Sequence, residues 1–210
     1  GMSINLIEFV WKKQIALQFP DTNDYNAFMG SFSKWTGIGT ITIIFLTKGV
    51  VSRFGWFAGA IITPLVLAIS GALFFALILF GDVINPQLFG LAISATYMAV
   101  FVGMVQNILT KGSKYALFDP TKEMSYIPLD QELKTKGKAV VDVIGGRLGK
   151  AAGGWTVLGL FTLFSATDAM EVAPYLGYFI GFVLIAWIFC VIALSRRYNA
   201  LTEHRKELKN

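Results

Sequence analysis

The chain has 210 residues, 55% of them hydrophobic and 15% charged, with a mean hydropathy of +0.61 and a net charge of +5. Soluble domains carry about 25% charged residues, so this composition excludes an ordinary soluble domain and fits one domain of five or six membrane crossings. Cys190 and His204 are the lone cysteine and histidine, which excludes disulfides, thiolate metal sites and histidine-based catalysis.

In chain order, residues 1–19 are apolar apart from such residues as Glu8, Lys12 and Lys13 and read as a partial crossing. They lack the basic n-region and small-residue cleavage site of a signal peptide, so the chain is expected to open inside a helix, as a fragment does. A carboxylate within a crossing pairs with a lysine, couples an ion or contacts a substrate; on an interfacial helix Glu8 is merely solvated. A second span is placed at 33–50. Its apolar part, 35–47, is short, and it crosses only if 26–34 continue it on a protein-facing side. Further spans are placed at 56–80, 88–111, 137–168 and 174–197, each containing roughly the 20 residues needed to cross about 30 Å of hydrocarbon.

The charges between spans alternate. Asp21, Asp24, Asp82, Asp168 and Glu171 mark connections without Lys or Arg, whereas Lys48, Arg53, Lys111, Lys114, Lys122, Lys134, Lys136, Arg196, Arg197, Arg205, Lys206 and Lys209 mark the others. The positive-inside rule makes the second set cytoplasmic: a loop at 112–136, a basic tail at 198–210 and a C-terminus inside. Topology thus accounts for most of the positive charge, without nucleic acid.

The loop contains YALFDPTKEMSYIPLD, residues 115–130. Pro120 suits the first turn of a short interfacial helix with Asp119 as its N-cap, and Pro128 ends it. Asp119, Lys122 and Glu123 are either structural there or part of a gate.

The following span opens with glycines at 145, 149 and 153, a spacing that lets helices approach closely in lipid. Packing explains the glycines but not the cations between them. Arg147 and Lys150 lie about 60° apart on a helix and repel unless an anion lies between them. Asp142 is placed to partner Lys138, four residues away, which leaves Arg147 and Lys150 unsatisfied. Either Lys150 snorkels to the interface, or both cations face a water-filled path and suit a phosphate-bearing substrate. GGRLGKAA is not a P-loop: Ile144 stands where the first glycine belongs, and Ala151 where the magnesium-binding hydroxyl belongs.

The segments NLIEFVWKKQ, FPDTNDYNAFMGSFSKWTGI and VQNILTKGSKYALFDPTKEMSYIPLDQELKTKGKAVVDVIGGRLGKAAGG together resemble the nucleotide transporter family of obligate intracellular bacteria and plastids, whose best-known members are ATP:ADP antiporters. The resemblance covers nearly the whole chain. It implies an all-α, polytopic membrane helical bundle, the second six-helix half of a major-facilitator-like transporter of about twelve spans, with the N-terminal six-helix half missing. It implies ATP and ADP as substrates, alternating access rather than enzymatic chemistry, and no cofactor, metal or nucleic acid. The location implied is the inner membrane of an intracellular bacterium or the plastid inner envelope. Glu8 matches the family's acidic residue after NL, and Lys150 matches the lysine of its LGK motif; Ala151 departs from the usual serine. The substrate group is therefore Glu8, Arg147, Lys150, Lys138 and Asp142, with Asp119, Lys122 and Glu123 as gate or bundle-contact residues. Proton-coupled import, import of other nucleotides or NAD, and a non-transporting scaffold are the alternatives.

Overall fold

The computed structural model describes residues 1–81, 83 and 93–207. Asp82 and the first residues of the span placed at 88–111 lie outside the described residues, as do the side chains of the tail cations Arg205, Lys206 and Lys209. Among the described residues every regular element is helical. The helices are α1 Met2–Gln18, α2 Thr22–Thr47, α3 Val50–Leu79, α4 Ala95–Ser113, α5 Asp119–Ser125, α6 Gln131–Ala139, α7 Gly146–Phe164 and α8 Ala169–Glu207. Two π-helical turns, Lys114–Phe118 and Val140–Gly145, join α4 to α5 and α6 to α7. Among the described residues two helices, α3 and α8, are long and apolar enough to cross a bilayer.

Local chemistry sets the boundaries. Asp21 adopts extended backbone and its Oδ1 accepts from the amides of Asn23 at 2.8 Å and Asp24 at 3.3 Å, which starts α2 at Thr22 rather than near residue 33. The extra turns are held because Tyr25, Phe28 and Met29 pack against the core that buries Phe32. Ser94 caps α4 by accepting from the Tyr97 amide at 3.1 Å. Gly49, at φ 89°, supplies the left-handed residue between α2 and α3. Ser165, at φ 48°, closes α7, and the Ala166 amide donates back to the Phe161 carbonyl at 3.0 Å.

The segment expected as a loop at 112–136 is mostly helix. α4 runs on through the first wide turn into α5, and α6 runs on through the second into α7. Asp119 is helical, at φ −62° and ψ −46°, and does not cap. Its amide donates to the Lys114 carbonyl five residues back. The wide turn changes register immediately before Pro120, which has no amide to give to an α-helical ladder.

The core gathers α1, α2, α3, α4 and α8 around Trp11. Trp11, Ile7, Val10, Ile15, Leu67, Phe74, Val100 and Leu176 are essentially inaccessible. Trp11 Nε1 donates to the Val100 carbonyl at 2.8 Å, which ties α1 to the antiparallel α4. The small residue Gly103 lets that indole in. At one end Trp56 Nε1 donates to the Thr121 carbonyl at 2.8 Å and its ring stacks on Tyr198 at 5.0 Å. At the other, Ser94 meets Gln18 at 3.3 Å, and Lys13 meets Asp168 at 2.5 Å. The first end carries the connections with Lys48, Arg53, Lys114 and Lys122, and the second those with Asp21, Asp24 and Asp168.

Candidate functional site

The helices place the ionisable residues in three groups. The first centres on Glu8. Residues 5, 8 and 12 form the accessible stripe of α1, flanked by buried Leu6, Ile7, Val10 and Trp11. Glu8 Oε1 pairs with Lys12 at 3.0 Å, one turn along the same helix, and Oε2 with Lys111 of α4 at 3.1 Å. The Lys111 ammonium also lies 5.1 Å from the ring centroid of Phe32 on α2, within cation–π range. A single lysine therefore joins three helices.

Arg147 and Lys150 form the second group, on the first two turns of α7. Both are exposed, and neither has an ion-pair partner among the described residues. α7 runs parallel to α1, with Gly153 against Met2 and Leu6. With Gly153 level with the turn between Met2 and Leu6, at 1.5 Å per residue Lys150 and Glu8 are then about 10 Å apart along the bundle. The structure does not bring these two residues into contact.

The third group ties the motif to the start of the following span. Lys122 pairs with Asp142 at 2.6 Å and with Glu123 at 3.6 Å, and Glu123 in turn accepts from Lys138 at 2.6 Å. Lys114 pairs with Asp119 at 2.8 Å. The expected pairing of Lys138 with Asp142 is not formed. The π-helical turn beginning at Val140 separates them, and α5 presents an opposite charge to each instead. The Lys138 hydrogen bond, opposed by slight desolvation, holds the Glu123 carboxyl below its ordinary range. Lys138 and Asp142 thus join Lys122 and Glu123 in a clasp rather than joining Arg147 and Lys150.

Loop charge alone makes Lys111 a topology signal and leaves Lys12 without a role, yet in the structure both share Glu8. The i, i+4 spacing of Glu8 and Lys12 is a usable clue. Lys111 has one too: it follows Gln106, Asn107 and Thr110, a polar stripe buried on α4. Lys34 is a further cation that sequence reasoning missed. It stands exposed midway along α2 with its ammonium 5.5 Å from the Trp35 ring centroid. Among the described residues, no group of three or more His, Cys, Asp and Glu is placed to hold a metal.

Comparison with known proteins adds to this geometry. Residues 1–198 match the family model of the TLC ATP/ADP transporter. The chain is 42% identical over 208 residues to ADP,ATP carrier protein 1 of Chlamydia trachomatis, which covers 99% of this chain and 39% of that protein. It is 43% identical over 201 residues to the chloroplastic ADP,ATP carrier protein 1 of Arabidopsis thaliana, covering 96% and 32% respectively. It is 41% identical over 208 residues to ADP,ATP carrier protein 1 of Rickettsia prowazekii, covering 99% and 42%. The chain thus spans about two fifths of the bacterial relatives and a third of the plastid one. No solved structure matches it.

Proposed function

The chain belongs to the TLC ATP/ADP transporter family, and from that premise we propose that it supplies the C-terminal six-helix half of a transporter that exchanges ATP for ADP by alternating access. The N-terminal half is the partner across the substrate path. The nucleotide binds between the halves, which rock about it. Exchange needs no hydrolysis, because the two nucleotide gradients drive it.

The observation that carries this reading is the pair Arg147 and Lys150, exposed one turn apart on α7 and without an ion-pair partner among the described residues. Charge at membrane depth is costly and is kept where it faces a polar path or a ligand. Two cations without local carboxylates suit the phosphates of a nucleotide. Glu8 balances charge in the empty path. Asp119, Lys122 and Glu123 belong to the end that opens and closes, with Lys138 and Asp142 as their counter-charges. The end carrying Lys48, Arg53, Lys114 and Lys122 faces the cytoplasm under the positive-inside rule, in a bacterial inner membrane or plastid inner envelope.

The test is uptake of labelled ATP by cells expressing the full-length protein, with and without unlabelled ADP outside, beside a Lys150→Ala variant. Saturable uptake that ADP competes with, lost in the variant at equal membrane abundance, is the expected result. Preloading vesicles with ADP should accelerate ATP uptake. Uptake indifferent to preloading moves the reading to a proton-coupled importer, and absence of ATP uptake by correctly inserted protein overturns it.

A further inference from the structure

We propose that Lys12 and Lys111 form a second phosphate subsite, and that the Glu8 carboxylate occupies the place of a phosphate group until substrate arrives. The inference rests on the nucleotide-transport reading and deepens it by assigning two further binding residues and a defined task for Glu8.

The geometry resembles an anion site already filled. Each oxygen of Glu8 takes a different lysine, at 3.0 and 3.1 Å, as two oxygens of one phosphate would. Lysine binds phosphate as a point charge, so the exchange of carboxylate for phosphate leaves both ammonium groups satisfied. The charge is also unbalanced in the direction a substrate site requires. One carboxylate serves two lysines, and the surplus positive charge has no further carboxylate among the described residues. In the clasp Glu123 also meets two lysines, but there Asp142 supplies the second carboxylate.

Access and anchoring fit the same role. Glu8 and Lys12, on the accessible stripe of α1, retain 20% and 47% of their side-chain exposure, and Lys111, reaching them from α4, retains 25%. Lys111 has a second hold, the Phe32 ring at 5.1 Å, which keeps its ammonium in place when Glu8 withdraws. The subsite lies about 10 Å along the bundle from Lys150, too far for one phosphate to bridge, so it is a separate station on the path.

Binding to the purified full-length protein tests this, with ATP, inorganic tripolyphosphate and adenosine as probes. Glu8→Gln should tighten tripolyphosphate and ATP about fivefold or more and leave adenosine unchanged, and adding Lys111→Gln should cancel the gain. A role confined to stitching α1 to α4 predicts lower thermal stability with no gain for polyanions. Unchanged or weaker polyphosphate binding by folded Glu8→Gln overturns the inference, while loss of ATP binding in Lys150→Ala in the same assay leaves the nucleotide reading standing. Failure of the unaltered protein to bind ATP removes that reading and the inference with it. If Glu8→Gln does not survive purification, Lys111→Gln alone decides: a tenfold loss of tripolyphosphate affinity supports the subsite, and unchanged affinity overturns it.

Discussion

The indole of Trp11 occupies the space that a Cβ on residue 103 would need, and its Nε1–H is fixed on the Val100 carbonyl at 2.8 Å. The ring is held by that bond and by buried neighbours, so it cannot swing aside cheaply. Gly103→Ala is therefore expected to destabilise the protein by about 1–3 kcal/mol, the range for overpacking a tight core. Thermal melting in detergent measures this, and an unchanged melting temperature would mean that α1 and α4 part easily.

Gly55 breaks the helical geometry of α3 at φ 84° and ψ 174°, with no atom within 4 Å of the point where a Cβ would stand. The obstacle to substitution is thus backbone conformation and not space. Gly55→Ala should cost about 1–3 kcal/mol, because that backbone region is essentially closed to residues with a Cβ, and disturb the adjacent Trp56, whose indole donates to Thr121. A shifted tryptophan emission together with a lowered melting temperature is the expected result.

Lys122 and Asp142 are each largely shielded and meet at 2.6 Å across twenty residues of sequence. Lys122→Ala should release α5 from the second wide turn at a cost of about 1 kcal/mol. Amide exchange across 119–125 should speed up, and the reciprocal pair Lys122→Asp with Asp142→Lys should slow it again. Equal exchange in the single variant would show that α5 is held by Trp56 and packing alone.

The Glu123–Lys138 pair carries a pH signature. Because the Glu123 carboxyl sits below its ordinary value of 4.5, its contribution is present above that value and disappears as pH falls through the lower, folded one. Melting of the unaltered protein from pH 6 to pH 3 should therefore lose more stability than melting of Glu123→Gln. Parallel curves for the two proteins would contradict the assignment.

Much of the bundle is legible in the sequence because apolar length and loop charge are local signals. Residues 56–80 and 174–197 can be read directly from hydropathy; the helices there, α3 at Val50–Leu79 and α8 at Ala169–Glu207, both begin earlier, and α8 also runs on further. The start of α2 is less visible because Asn26, Ser33 and Lys34 dilute the apolar pattern, although Asp21 is a plain capping residue. The clasp is hidden for a different reason. Helical spacing pairs Lys138 with Asp142, and nothing in a 3.6-residue period announces a π-helical turn between them. Lys114 and Asp119, five residues apart, likewise look mismatched until that wider turn is known. Glu8, Arg147 and Lys150 stand out as charges in apolar surroundings, but the share of Glu8 held by Lys111 depends on α4 lying antiparallel to α1.

The two wide turns act as gear teeth for α5 and α7. An α-helix advances about 100° per residue, so one residue more or fewer within Lys114–Phe118 rotates the entire DPTKEM segment by more than a quarter turn. Lys122 would then point away from Asp142, and Trp56 would lose its carbonyl on Thr121. Substitutions inside these turns change side chains one at a time, whereas a single-residue deletion rephases the motif as a block and uncouples it from both neighbouring helices at once.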